Sequence, residues 1–264
     1  MPGERHLAAA APDARGNAVP RAALLLVVAC AACGGGCRER ASPRGAPRPS
    51  AAEAPSEAAE REAMVSDQLA ARGIRDGRVL EAMRAVPRHR FVSEALRPMA
   101  YADTPLPIGR GQTISQPYIV AFMAEALRLR GKERVLEVGS GSGYAAAVLS
   151  LLGAEVYGIE LEQELHDRSV ATLRELPYPN VHLRAGDGFR GWPEAAPFDA
   201  IVLSCAAERI PEPLWQQLAE GGRLLYPRGS ADEIQDLVLV TKTREGPREE
   251  RLVPVSFVPL RRPR

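Results

Sequence analysis

The run Val135-Leu136-Glu137-Val138 leads straight into Gly139-Ser140-Gly141-Ser142-Gly143, and a helical stretch opens at Tyr144. An apolar strand that ends in a glycine-rich turn and enters a helix marks a ligand-binding crossover in an open α/β sheet, because glycine lets the backbone approach a ligand closely. The downstream sequence repeats this alternation. Strands are expected at 134–138, 155–159, 181–185, 198–203 and 223–226, with helices at 144–152, 162–176 and 213–219. Such a pattern implies a mostly parallel sheet with helices on both faces. Segments 237–241 and 252–258, around the turn-like 244–247, read instead as an antiparallel C-terminal edge. Upstream lies a helical extension. Helices are expected at 57–71, stopped by Gly73, and at 78–85, ended before Pro87. The stretch 101–117, crowded with Pro and Gly, reads as a loop, and 119–129 as a helix stopped by Gly131.

The chain of 264 residues has a formal charge of +1. Nucleic acid is excluded as the main partner, since phosphate binding shows as a basic excess. Aromatic residues make up 5% of the chain, too few for a base-stacking platform.

Residues 1–56 differ from 57–264. Arg15 and Arg21 precede the apolar run 22–30, which falls short of the ~20 residues that span a bilayer but fits the apolar region of an export signal. Val27-Val28-Ala29-Cys30 resembles a bacterial lipobox, in which the Cys carries the lipid. Gly34-Gly35-Gly36 and a stretch rich in Pro, Ala, Arg and Ser follow, a composition that reads as a tether. The competing reading is initiation at Met64, which leaves the segment without function. Cys30, Cys33 and Cys37 all lie here, so Cys205 has no disulfide partner in the core. Cys33 and Cys37 lack the second pair or His cluster of a metal site, and no metal is expected.

The glycine turn departs from the dinucleotide fingerprint. Its third glycine comes one position early, and Tyr144 stands in the expected place. Glu137, two residues ahead of Gly139, would repel a pyrophosphate and attract an ammonium. S-adenosylmethionine carries an ammonium and no phosphate, so the departure makes physical sense for that cofactor. Glu160 ends the next strand, where a carboxylate can accept hydrogen bonds from both ribose hydroxyls. Asp187, between Gly186 and Gly188, can accept from the adenine amino group. The structural alternatives are a solvated helix start for Glu160 and a turn former for Asp187.

Further segments surround these residues: Ala85-Val86-Pro87-Arg88, Leu106-Pro107-Ile108-Gly109, Thr113-Ile114-Ser115-Gln116-Pro117, Gly186-Asp187-Gly188 and Phe257-Val258-Pro259-Leu260. Together with the glycine turn they resemble the protein-L-isoaspartate O-methyltransferases over roughly residues 64–260. The Thr113 segment joined to the C-terminal Phe257 segment is the specific part. The resemblance implies a Rossmann-like class I methyltransferase that methylates the free α-carboxylate of L-isoaspartyl residues in damaged peptides and proteins. It implies that Ser115 is the active-site serine, orienting the acceptor rather than attacking it. Its structural alternative is a cap on the helix that follows. By the same matching Ile114, Ser115, Gly139, Glu160, Leu161, Asp187 and Gly188 line the cofactor site, to which the reading of the turn adds Glu137, Gly141 and Gly143, and Ser204, Cys205, Ala206 and Ile210 face the substrate. The alternatives are methyl transfer to another carboxylate or small molecule, and a non-catalytic module that binds damaged peptides. The family implies a cytoplasmic protein, and nothing in the sequence suggests more than a monomer. The lipobox implies a periplasmic protein held to the membrane through a lipid on Cys30.

Overall fold

The computed structural model describes residues 55–263. The export signal, the Cys30 lipobox, Cys33 with Cys37 and the tether as far as residue 54 lie outside the described residues. Helix α1 (Pro55–Ala63) runs without a break into a π-helical turn, Met64–Leu69, and a 3-10 turn, Ala70–Arg72. The wider π pitch returns to the same face after about five residues, and Met64 and Leu69 are both fully buried. Gly73 ends the segment in the left-handed conformation at φ 105°. Helix α2 (Gly77–Ala85) is capped by the Asp76 carboxylate, which accepts from the Arg78 N–H at 2.9 Å.

The stretch expected as a loop contains a small hairpin. Strand β1 (Leu106–Gly109) pairs antiparallel with β2 (Gln112–Ile114). Leu106 and Ile108 are buried while Pro107 and Gly109 are exposed, so a strand period exists but lasts only four residues. Helix α3 (Pro117–Ala126) begins earlier than expected, with Pro at its first position.

The main sheet follows as β3 (Arg134–Val138), α4 (Tyr144–Ser150), β4 (Glu155–Glu160), α5 (Gln163–Arg174), β5 (Val181–Ala185), β6 (Phe198–Leu203), α6 (Glu212–Gln217), β7 (Leu218–Arg228), β8 (Gln235–Thr243) and β9 (Gly246–Val255). Its seven strands lie in the order β5-β4-β3-β6-β7-β8-β9. The first five are parallel; β8 and β9 are antiparallel. This is the Rossmann-like architecture expected, with its antiparallel edge. Two boundaries differ. Strand β7 begins at Leu218, ahead of Gly221-Gly222, with a register shift where it pairs Phe198 and Ala200 of β6. Strand β9 ends at Val255, so Phe257 and Val258 belong to a C-terminal tail. One apolar cluster joins the N-terminal helices, α3 and α4 to the sheet, and a second packs around Leu214 of α6.

The strand order reverses at β3, which has β4 on one side and β6 on the other. Ligands bind beyond the carboxyl ends of the strands at such a switch point. The chain reaches that point from the N-terminal side through Asp103. Its carboxylate accepts from the Tyr118 N–H at 2.9 Å and the Gln116 Nε2 at 3.3 Å, and pairs with Arg72. Asp103→Ala leaves the first turn of α3 without its acceptor. We expect a loss of about 1–3 kcal/mol in urea denaturation; a loss under about 0.5 kcal/mol would remove Asp103 from this role.

Candidate active site

Two adjoining compartments open at the switch point, and Thr113, Gly139, Gly141 and Ser204 line both. The first is faced by Ile114, Ser115 and Glu137, the second by Glu160, Leu161, Gly188 and Cys205. The hairpin, the glycine turn and the carboxyl ends of β3, β4 and β6 therefore meet at one cleft.

Glu137 lies near the end of β3 and is 1% exposed. Its Oε1 accepts from the Ser204 hydroxyl at 2.9 Å. Its Oε2 is buried without a partner among the described residues. Burial pushes this carboxyl up to about 7; the Ser204 hydrogen bond opposes the shift and the nearby Glu160 charge adds to it. A buried acceptor left open in a cleft suits an ammonium donor. The turn beside it suits close approach. Gly139 and Gly141 have φ of 84° and 52°, and a Cβ at Gly141 would lie 3.2 Å from Ile108 Cδ1. The donor set thus fits the amino-acid end of S-adenosylmethionine.

Glu160, at the end of β4, is 6% exposed. Its Oε2 accepts from the Gly141 N–H at 2.8 Å and its Oε1 from the Glu162 N–H at 2.9 Å. It fixes the glycine turn to the β4–α5 junction, and each oxygen retains a lone pair for a ribose hydroxyl. The solvated helix start is excluded by this burial. Asp187 caps the short turn Gly188–Arg190, accepting from the Phe189 N–H at 2.9 Å. The turn-forming alternative therefore holds, and its other oxygen lies 3.9 Å from Arg262 Nη1. At Gly188 a Cβ would stand 2.5 Å from Val138 Cγ1, so only glycine fits.

Other placements differ from expectation. Gly143 faces α5, where a Cβ would meet Leu173 and Ser169 at 3.2 and 3.3 Å, and it lines neither compartment. It serves helix packing, as the third glycine of the dinucleotide turn does. The Ser115 hydroxyl caps no helix: the N-cap of α3 is Gln116, and Asp103 holds the Tyr118 N–H. Ser115 instead faces the compartment that holds Glu137. Ser204 and Cys205 line the cleft, and burial drives the Cys205 thiol upward, keeping it un-ionised. Ala206 is buried beneath the C-terminal tail, exchanging hydrogen bonds with Val258 and Leu260 at 2.8 Å. Ile210 packs against the second core cluster.

The tail is the part of the site that residue-by-residue reading missed. Val258, Pro259, Leu260 and Arg261 all line the second compartment. Gln235, fully buried, anchors them by accepting from the Phe257 N–H at 2.8 Å while its amide donates to Ser230 and Glu233 carbonyls at 2.7 Å. Arg261 and Arg110 both reach Glu162, at 2.8 and 3.4 Å, drawing the tail and the hairpin turn together. The Arg261 hydrogen bond, with Arg110 behind it, holds the Glu162 carboxyl below its ordinary value. The Phe257-Val258-Pro259-Leu260 segment carried the signal, but nothing in its sequence says which strands it crosses.

Comparison with known proteins agrees with this geometry. Residues 59–263 match the model of the protein-L-isoaspartate(D-aspartate) O-methyltransferase family. Protein-L-isoaspartate O-methyltransferase 2 of Anaeromyxobacter sp. (strain Fw109-5) is 66% identical over 91% of this chain and 96% of its own. The protein-L-isoaspartate O-methyltransferase of Opitutus terrae is 58% identical over 77% of this chain and 87% of its own. A beta-aspartate methyltransferase from Plasmodium falciparum, solved in complex with S-adenosyl-L-homocysteine, superposes with a TM-score of 0.67 at 29% identity, over 76% of this chain and 98% of its own. With the family model spanning the whole described domain except its first turn, the chain belongs to the protein-L-isoaspartate(D-aspartate) O-methyltransferase family.

Proposed function

We propose that this cleft transfers a methyl group from S-adenosylmethionine to the free α-carboxylate of L-isoaspartyl residues in damaged peptides and proteins. The observation that carries the reading is the unpartnered Glu137 Oε2, buried in the compartment that Ser115 also faces. When bound, S-adenosylmethionine supplies a methyl already activated by the sulfonium charge. Glu137 takes the ammonium of its amino-acid end. Glu160 holds the glycine turn and presents its remaining lone pairs to the ribose. Asp187 retains one oxygen for the adenine amino group.

The acceptor carboxylate is ionised near neutral pH and needs no general base. What remains is alignment and exclusion of water. Ser115 donates its hydroxyl to the acceptor carboxylate and sets its approach. The tail covers the second compartment through Leu260 and Arg261. On this reading the protein acts as a monomer in the cytoplasm, where its cofactor is made, and needs no metal. The alternative location, the periplasmic membrane surface through a lipid on Cys30, predicts that Cys30→Ser moves the protein from the membrane to the soluble fraction. Initiation at Met64 would strip α1, and with it the Arg61–Tyr101 hydrogen bond at 3.2 Å and the Glu57–His89 pair at 3.6 Å.

Label transfer from S-adenosylmethionine to matched isoaspartyl and aspartyl peptides tests the reading. Base-labile label should enter the isoaspartyl peptide alone; equal rates on both would overturn it. Ser115→Ala should lower kcat by about 10–100-fold, the worth of a hydrogen bond to a charged group, with the dissociation constant for S-adenosylhomocysteine nearly unchanged. An unaltered kcat would take Ser115 out of the reaction.

Glu137 makes two pH predictions. Its carboxyl sits at about 7 in the folded protein against an ordinary 4.5. The folded state therefore keeps a proton that the unfolded state has released, and ligand-free stability falls as pH rises from 4.5 to 7, by up to about 3 kcal/mol, then levels off. Ammonium binding needs the carboxylate, so cofactor affinity should rise by up to about tenfold per unit over the approach to pH 7. Urea midpoints and dissociation constants of the wild type and Glu137→Gln across this range check both. Parallel profiles for the two proteins would contradict the assignment.

A further inference from the structure

The first compartment does not end at Glu137. Behind the carboxylate it continues as a recess between α3 and α4, floored by β3 and β6. Glu137 and Val202 are register partners on these strands, so their side chains share one face of the sheet. Met123, Ala124 and Leu127 form one wall and Leu149 forms the other, while Val202 lines the floor. From Val120 to Leu127 the α3 wall covers about two helical turns, roughly 10 Å. Among the residues lining this compartment, Glu137 and Tyr144 are the titratable ones. The Tyr144 hydroxyl reaches Met83 Sδ at 3.7 Å, and its ring lies beneath the Arg88 guanidinium. Arg88 donates to the Ala100 carbonyl and does not line the recess. The recess thus combines an apolar channel with a buried acceptor, Glu137 Oε2, that no protein donor serves; the Ser140 hydroxyl at the glycine turn is the other buried polar group of this compartment without a partner among the described residues.

The amino-acid end of the cofactor can satisfy Oε2 from the mouth of the cleft, yet its two methylenes end at the sulfonium and are too short to run along both Met123 and Leu127. We propose that the recess is a further subsite, sharing Glu137 Oε2 with the cofactor, for aliphatic primary ammonium ions, with the ammonium on that oxygen and the chain lying between α3 and α4. A primary ammonium supplies the N–H that the acceptor lacks. A quaternary one supplies charge alone, and a carboxylate repels. Because both ligands use the same oxygen, the amine excludes the cofactor. This competition alone rests on the functional reading above.

Calorimetric titration of the full chain near pH 8 with ethyl-, butyl- and hexylammonium tests the subsite. Hexyltrimethylammonium, hexanoate and hexan-1-ol serve as controls. We expect hexylammonium to bind at least tenfold tighter than ethylammonium, as successive methylenes leave water, and to be displaced by S-adenosylhomocysteine. Ala124→Leu, which fills the wall, should flatten the chain-length series and leave ethylammonium unchanged. If that variant does not fold, the wild-type series and its controls decide alone. A flat wild-type series overturns the proposal. So does hexanoate or the quaternary ion binding as tightly as hexylammonium, or hexylammonium and S-adenosylhomocysteine binding together. Failure of S-adenosylhomocysteine to bind would count against the functional reading, while the chain-length series would still report on the recess.

Discussion

Burying Glu137 at the point where the sheet order reverses carries a large cost, and the site around it is arranged by that cost. A carboxylate taken out of water loses several kcal/mol of hydration unless donors replace it. Ser204, carried to the neighbouring position by the parallel pairing of β6 with β3, replaces part of it. The remaining oxygen has no partner among the described residues. The same burial keeps Cys205 neutral, so the cleft contains a thiol without becoming a redox or nucleophilic centre.

Around this centre, carboxylates and one amide do the work of holding loops. Glu160 ties the glycine turn to the start of α5, Asp103 fixes the entry to α3, and Gln235 fastens the tail. Each accepts backbone N–H groups that no strand or helix could satisfy. These anchors bring together segments far apart in the chain: the hairpin from the N-terminal side, the strand ends from the middle, and the tail from the last residues. Glu162 then joins the hairpin turn to the tail through Arg110 and Arg261.

The long elements were legible because their hydrophobic patterns outlast local noise. Strands β3, β5 and β6 fall where apolar runs predict them. The β1–β2 hairpin was hidden because its alternation is short and its Pro and Gly content reads as loop. Strand β7 starts as early as Leu218 because Phe198 of β6 pairs with it, while Gly221-Gly222 fall in the register shift before Arg223 pairs with Ala200, and partner availability is a tertiary fact. Gly143 and Ser115 show the same limit at single residues. A glycine can serve a ligand or a neighbouring helix, and a serine can cap or face a cleft. Only the position of α5 and of Asp103 separated these readings.

The sequence by itself determined the α/β class, the switch-point cofactor turn and the chemical kind of its ligand, because strand period, glycine spacing and the charge of Glu137 are local properties. The tertiary structure decided which oxygen of Glu137 stays open, that an apolar recess continues behind it, and that the tail roofs the second compartment. Those depend on burial and on which segments meet. Burial is a property of the packed chain, in which neighbours distant in sequence set the dielectric and supply or withhold the donors.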